Sequence, residues 1–324
     1  MKNFSEILSG YVRERKTNIS ALASETGIDR TLLHKYISGK RTPSDIQAVL
    51  LISDGLMLSY DEETALCESY RILSMGEEGY ERYLLTKKIL DYLSNIPNPE
   101  IFRNKSTSDP LVSSAVSDRL SVEMTIRRII SDSSCEKIFV ISPPSCSLIC
   151  SELISACIDR PEINITQILS FCSISANHNL KILEQILPLL VFCPGYTPVI
   201  NYCTVSEREN SSALLPNLLL TERYAFSFSN NCDMGILHTR NDILKLYHTA
   251  FSQIAEKSYG LIEKKISSAP YPADDIMEYN ENMYINQTDK RVSLIFRTGS
   301  FWSSIMIYEQ SVRKCFEKLM LSGG

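Results

Sequence analysis

Apolar residues in the first ninety positions recur at helical spacing. Phe4, Ile7, Leu8, Tyr11 and Val12 fall at steps of three and four, which predicts a helix from Phe4 to Lys16. Asn18 and Ser20 stand as caps before a short second helix, Ile19–Glu25, and Gly27 ends its pattern. Asp29 caps a third helix that runs to about Ile37. Ser38-Gly39-Lys40-Arg41-Thr42-Pro43 closes it, with Gly at the C-terminal side and Pro a few residues on. A fourth helix, Ser44–Leu56, begins at its own Ser cap. Ser59 and the acidic run Asp61-Glu62-Glu63 open a fifth, and Gly76 and Gly79 interrupt it before a sixth, Tyr80–Leu93.

The stretch SNIPNPEIFRNKSTSDP, residues 94–110, holds three prolines and little apolar content, so it reads as a linker. Beyond it the period changes. Residues 113–131 look helical, and Ile138–Ile141 in EKIFVISPP is a short apolar run of the kind a buried strand makes. INITQIL, PVINYCTV, RYAFSFS, MGILHT, VSLIFRT and SSIMIY repeat that signal, with helical stretches at about 145–158, 178–190, 241–265 and 308–321. Strands alternating with helices predict an α/β domain with a mostly parallel or mixed sheet, carrying an antiparallel hairpin at 223–238. The expected organisation is a helix-turn-helix domain over 1–60, a helical connector over 61–95, a linker over 96–112 and an α/β sensor or dimerisation domain over 113–324.

Composition changes this picture little, but charge changes it a good deal. Hydrophobic residues make 44% of the 324 and charged residues 22%, the balance of a soluble globular protein, and no run reaches the length of a membrane span. The charged, alternating start does not resemble a signal peptide, so a cytoplasmic protein without a membrane partner is expected. The ten cysteines are scattered without a Cys-x-x-Cys pair and sit mostly in apolar runs, as reduced thiols in a core do. Cys146, Cys150 and Cys157 would share a helix face, yet they lack the close spacing and His or carboxylate partners of a metal site. The net charge is −5 over the whole chain, whereas residues 1–41 carry eight basic against four acidic residues, a net of +4. A basic end on an acidic body points to a polyanion met by the first domain alone.

A helix reads duplex DNA when a companion helix holds it across the major groove. That needs a small residue where the helices touch, a tight turn, an apolar residue to lock the angle, and polar or basic side chains on the exposed start of the second helix. Ala23 is the small residue, with Leu22 facing the core. Gly27 takes the turn, and Ile28 and Leu33 point inward. Arg30, Thr31 and His34 are neighbours on the outer face.

The stretch LASETGIDRTLLHKYISGKRTPS resembles the helix-turn-helix of the XRE family, the lambda-repressor and Cro-like DNA-binding domains. The resemblance covers about residues 4–58 and rests on Leu22, Ala23, Gly27, Ile28, Asp29, Gly39, Lys40, Arg41 and Pro43. Two positions depart from the family's pattern. Ile19 stands where a Gln that touches DNA is frequent, and Leu32 stands where a short polar residue is common. The resemblance implies base-edge contacts from Arg30, Thr31 and His34. It also implies phosphate contacts from Lys35, Lys40 and Arg41, which set register without reading sequence.

The longer C-terminal part shows no glycine-rich phosphate loop, no dinucleotide fingerprint and no Gly-x-Ser-x-Gly elbow. Its order of elements is similar to the phospholipase-D-like sensor domains of some prokaryotic regulators. Catalytic members of that superfamily use His-x-Lys and then Asp. Here His178-Asn179-Leu180-Lys181 has the wrong spacing, and His238-Thr239-Arg240 has Arg for Lys. The resemblance therefore implies binding without cutting. Ser142-Pro143-Pro144-Ser145 at a strand's end, and Arg223, Tyr224 and Arg240, are candidates to line a ligand pocket, while Trp302 is expected in core or interface.

Together these readings predict a sequence-specific DNA-binding transcriptional regulator that is not an enzyme and uses no cofactor. Its expected partners are double-stranded DNA, a second copy of itself and a small-molecule effector. The alternative is a nucleic-acid or phosphodiester-acting enzyme targeted by the helix-turn-helix, with His178 or His238 at its centre.

Overall fold

A computed structural model of the chain describes residues 3–103, 111–141, 147–172, 174–203, 215–260, 262–267, 276–280, 283–288, 291–298, 301–307, 310 and 312–316. The packing divides into two compact units, Met1–Tyr83 and Leu84–Gly324.

The first unit is helical: α1 (Phe4–Glu14), α2 (Ile19–Thr26), α3 (Arg30–Ile37), α4 (Ile46–Gly55) and the start of α5 (Tyr60–Ser94). A side chain supplies an acceptor at each of the first four N-termini, where orphan amides would otherwise lack partners. Asn3 and Glu6 form a reciprocal capping box on α1, Asn18 caps α2 and Asp29 caps α3. The cap of α4 is Asp45, whose Oδ1 accepts from the Ala48 amide at 2.8 Å. The expected cap, Ser44, instead donates its hydroxyl to Asp45. Those bonds favour the ionised form and hold the Asp45 carboxyl below its ordinary range. Phe4, Leu8, Leu22, Leu33, Tyr36, Val49, Ile52, Leu56, Leu66, Cys67 and Tyr70 make the core. Each such fully buried apolar side chain contributes about 1.5–3 kcal/mol relative to exposure.

Helix α5 is not one straight rod. Gly76 sits at φ 75°, ψ 165°, a region that only glycine adopts readily, so the helix is two arms meeting at a corner. Gly79, expected as a second break, lies inside the second arm. The first arm gives Leu66, Cys67 and Tyr70 to the first unit's core. The second arm gives Ile89, Leu90 and Leu93 to the core of the second unit.

The second unit is built on a seven-stranded mixed sheet in the order β1-β7-β6-β5-β2-β3-β4. The strands are β1 (Ser114–Val116), β2 (Lys137–Ile141), β3 (Asn164–Cys172), β4 (Tyr196–Cys203), β5 (Asn217–Leu220), β6 (Ala225–Phe228) and β7 (Gly235–His238). Only β2 with β3 and β3 with β4 run parallel. Those strands are joined by the crossover helices α7 (Ser147–Asp159) and α8 (Ala176–Phe192), long enough to return the chain to the same end. β5, β6 and β7 follow one another through short turns and so pair antiparallel, which includes the expected hairpin. The sheet is thus mixed, and not mostly parallel.

Helices cover both faces of this sheet. Ile138 and Val140 of β2 pack on the side of α6 (Arg119–Ser131), α7 and α8. Phe139 and Ile141, pointing the other way, join Leu244 and Phe251 of α9 (Asn241–Ala255). At the end of β3 the buried Asn179 amide imitates a neighbouring strand: it accepts from the Cys172 N–H at 2.8 Å and donates to its carbonyl at 2.9 Å. The junction between α6 and β2 is tied by Arg160, which donates to the carbonyls of Ile130, Asp132 and Cys135.

Several elements depart from the sequence reading. Residues 114–116, expected in a helix, form edge strand β1 against β7. The helix begins only at Arg119, after its Asp118 cap. The expected helix over 241–265 stops at Ala255. There Tyr259 exchanges backbone hydrogen bonds with Ile200, and the chain continues as strand β8 (Ile262–Ser267). β8 opens a second, five-stranded antiparallel sheet with β9 (Ile276–Asn280), β10 (Met283–Thr288), β11 (Arg291–Thr298) and β12 (Phe301–Ile307), in the order β8-β12-β11-β10-β9. Of the helix expected over 308–321, residues 310 and 312–316 are helical, and the rest lies outside the described residues. Among the described residues no helix is long and apolar enough to cross a membrane.

Candidate nucleic-acid interface

The geometry around α3 is set by three local devices. First, α2 ends in Gly27 at φ 68°, ψ 6°, the left-handed conformation that lets the chain turn within one residue. Thr26, buried beside it, donates its hydroxyl to the Leu22 carbonyl at 2.8 Å and accepts from the Ile28 amide at 3.3 Å, stitching the turn to the helix. Second, the Asp29 carboxylate accepts from the Leu32 amide at 3.0 Å and fixes where α3 starts. Third, α3 closes in a Schellman motif. Gly39 is left-handed at φ 71°, Lys40 N–H reaches the Lys35 carbonyl at 2.9 Å, and Gly39 N–H reaches that of Tyr36 at 3.2 Å.

A Cβ added at Gly27 would meet nothing within 4 Å, so packing does not forbid alanine there and only the backbone does. Gly27→Ala is therefore expected to cost about 1–2 kcal/mol, the left-handed penalty of an L-residue, with Gly27→Asn recovering most of it. Chemical denaturation of the three proteins checks this. Equal stability of the alanine and asparagine variants would contradict it.

Buried and exposed positions then separate on α3. Leu33 and Tyr36 are in the core, at 0% and 3% exposure. Leu32 is half-buried against the same cluster, as are Ile19, Ala23 and Ile28, so the two positions that depart from the family pattern serve packing. Arg30, Thr31, His34 and Lys35 are all exposed and fall on one side of the helix. Lys40 and Arg41 are exposed just past its end. Among the described residues, none of Arg30, Lys35, Lys40 and Arg41 is paired with a carboxylate.

Other charges in this unit sharpen the contrast. Arg15 is committed elsewhere, bonded to Glu62 at 2.5 Å and lying over the Tyr11 ring. The Ser59 amide, and then Arg15, hold the Glu62 carboxyl below its usual range. Residues 42–83 carry nine acidic against two basic residues, so the net positive charge of this unit lies in its first forty-one residues. Two supports complete the unit, of which the sequence reading singled out only Pro43. A Cβ on Gly55 of α4 would stand 2.8 Å from both Leu22 and Thr26, so the close approach of α4 to α2 needs glycine there. Pro43 is buried and anchors the chain after the basic pair.

The candidates in the second unit are scattered and engaged. Arg223 donates to Asp132 at 3.2 Å and to Ser134 at 3.0 Å, and lies over the ring of the buried Tyr224. Burial raises the Asp132 carboxyl, but the bonds from Ser134 and the charge of Arg223 outweigh it and leave it lowered. Arg240 makes a two-pronged pair with Asp242, at 3.2 and 2.6 Å. His178 Nε2 is 3.2 Å from the Ser170 carbonyl, and His248 Nε2 is 3.1 Å from that of Thr221. The His238 ring lies 5.9 Å from the Tyr247 ring, tilted at 31° to it. Ser142-Pro143-Pro144-Ser145 and Cys146 lie outside the described residues, as does the side chain of Trp302, whose backbone is paired in β12. Cys150 and Cys157 are buried in the core. Among the described residues no three His, Cys, Asp or Glu side chains gather as metal ligands.

Comparison with family models, with curated proteins and with solved structures finds no match for this chain.

Proposed function

We propose that this chain is a sequence-specific DNA-binding transcriptional regulator whose α3 enters the major groove. The second unit would serve as its ligand-sensing or dimerising part. The observation that carries this reading is the division of α3, with Leu33 and Tyr36 buried beneath it and Arg30, Thr31, His34 and Lys35 exposed above. An ordinary surface helix in an acidic protein tends to pair its cations. Among the described residues Arg30 and Lys35 meet no carboxylate, and they are joined by Lys40 and Arg41, whose loop is fixed by the Schellman motif. Arg30 matches the paired acceptors of guanine, and the lysines and Arg41 match phosphates. Two copies reading half-sites one helical turn apart would multiply weak single contacts, so a homodimer is the working form of this proposal.

The test is selection of bound sequences from random duplex DNA by the full-length chain. A palindromic consensus is the expected result, and absence of any enrichment removes the proposal. On the selected site, Arg30→Ala is expected to cost about 1–3 kcal/mol and to relax preference at one base pair. An equal loss on every sequence would reassign Arg30 to the phosphate backbone.

A further inference from the structure

The seven-stranded sheet has two edges, and they are finished differently. Proteins protect an exposed edge with proline, charge or a covering segment, because its unpaired N–H and C=O groups otherwise accept another strand. β4 has such protection. Pro198 interrupts its row of donors, and Tyr259 takes up both backbone groups of Ile200, at 2.9 and 2.8 Å. β1, at the other edge, has none of it. Residues 111–117, Leu-Val-Ser-Ser-Ala-Val-Ser, hold no charge and no proline in a chain that is 22% charged. Among the described residues β7 is its single strand neighbour, and Ser114 and Ala115 are exposed.

The inner side of β1 is fastened. Ser114, Ala115 and Val116 pair with Leu237, Ile236 and Gly235. The Ser113 hydroxyl accepts from the Thr239 amide at 3.0 Å and lies 2.9 Å from the Thr239 hydroxyl. Val116 packs against the core of the unit. A strand already held on one side loses little freedom when its other side is paired. Apolar side chains stand at both ends of the edge. Val112, two residues before β1, is 76% exposed, and Leu120, in the first turn of α6, is 67% exposed.

We propose that β1 is a homodimer interface, at which it pairs antiparallel with β1 of a second copy about a two-fold axis. Two identical strands placed antiparallel offer each other the same row of backbone groups, so one edge satisfies the other. With Ala115 on the axis, Val112 of one copy falls opposite Asp118 of the other, next to the turn that carries Leu120. The two exposed apolar residues then cover each other twice, once at each end of the pairing. Residues near a two-fold axis meet their own twins, where any charge would face itself, and residues 111–117 carry none. This interface involves the second unit alone and forms whether or not α3 reads DNA. It also supplies the two-copy form that such reading calls for.

The test is sedimentation of the full-length chain at micromolar concentrations, for wild type, Ala115→Lys and Ala115→Glu. Ala115 is exposed, so either charge leaves the fold intact, which circular dichroism verifies. The wild type is expected as a dimer. In each variant a like charge meets its twin at the axis, and self-association should weaken at least about tenfold. Mixing the two variants in equal amounts then restores the dimer, because lysine faces glutamate. A monomeric wild type would overturn the proposal. So would dimers that persist undiminished in both variants, since the interface would then lie elsewhere. Variants that stay monomeric when mixed would trace the loss to something other than pairing at Ala115, and would equally remove it. A dimeric wild type that selects no DNA would sink the DNA-reading role alone.

Discussion

Alanine at Lys35, Lys40 and Arg41 together is expected to weaken binding to duplex DNA on the order of a hundredfold near 0.1 M salt, equally on selected and unrelated sequences. The reason is counterion release. Each phosphate neutralised by a protein cation contributes about 0.9 to the slope of log affinity against log salt, so losing three should make that slope shallower by about 2.7. The three side chains are exposed and, among the described residues, unpaired with carboxylates, so removing them leaves no buried charge behind and the fold intact. Binding isotherms for wild type and triple variant at several salt concentrations decide the matter. An unchanged slope would mean that none of the three meets a phosphate. The contrast with Arg30→Ala is the discriminating part, since base-edge contacts change sequence preference and phosphate contacts change salt dependence.

The second large effect comes from a residue that never faces solvent. Leu33→Ala should destabilise the first unit by about 2–5 kcal/mol, the sum of lost burial and the cavity left under α3. Leu33 is 0% exposed and packs in a core of only a dozen or so side chains, with little capacity to collapse around a void. A loss of that size is a large share of the 5–15 kcal/mol that a typical domain has in hand. If α3 reads DNA as proposed, affinity should fall with it, although no side chain of the exposed face has been touched, because that helix loses its support. Denaturant unfolding followed in parallel with hydrogen exchange over residues 30–37 checks this. Stability within about 0.5 kcal/mol of wild type would show that α3 is held in place by something other than its buried side.

The exposed face of α3 was legible in the sequence because its signals are local. Capping by Asp29, the left-handed turn at Gly27 and the burial of Leu33 each depend on residues within one or two turns of helix, so spacing alone exposes them. The same holds for β2, whose apolar run Ile138–Ile141 marks a strand packed on both faces. Asp45 was misjudged because Ser44 and Asp45 are both good caps, and only the hydrogen bonds distinguish them.

Other features have no local signal at all. β1 is three residues long and exists because β7 offers it an edge, while β8 begins where a helix was expected and β9 and β10 carried no strand expectation until they pair in a second sheet. The arrangement of the larger sheet follows from which connections are helical crossovers and which are tight turns, a property of the folded chain. The corner in α5 belongs to the same class. Gly76 announces a break, but nothing in the string of letters says that the second arm turns back until Arg71 meets Tyr83. The sequence by itself determined the helices of the first unit, the Asn18 and Asp29 caps and the basic character of its first forty residues, because propensity, capping and charge act over a few neighbours. Strand pairing, the corner of α5 and the exposure of the cations on α3 were decided only by the tertiary structure, since each depends on what residues distant in the chain leave open or cover.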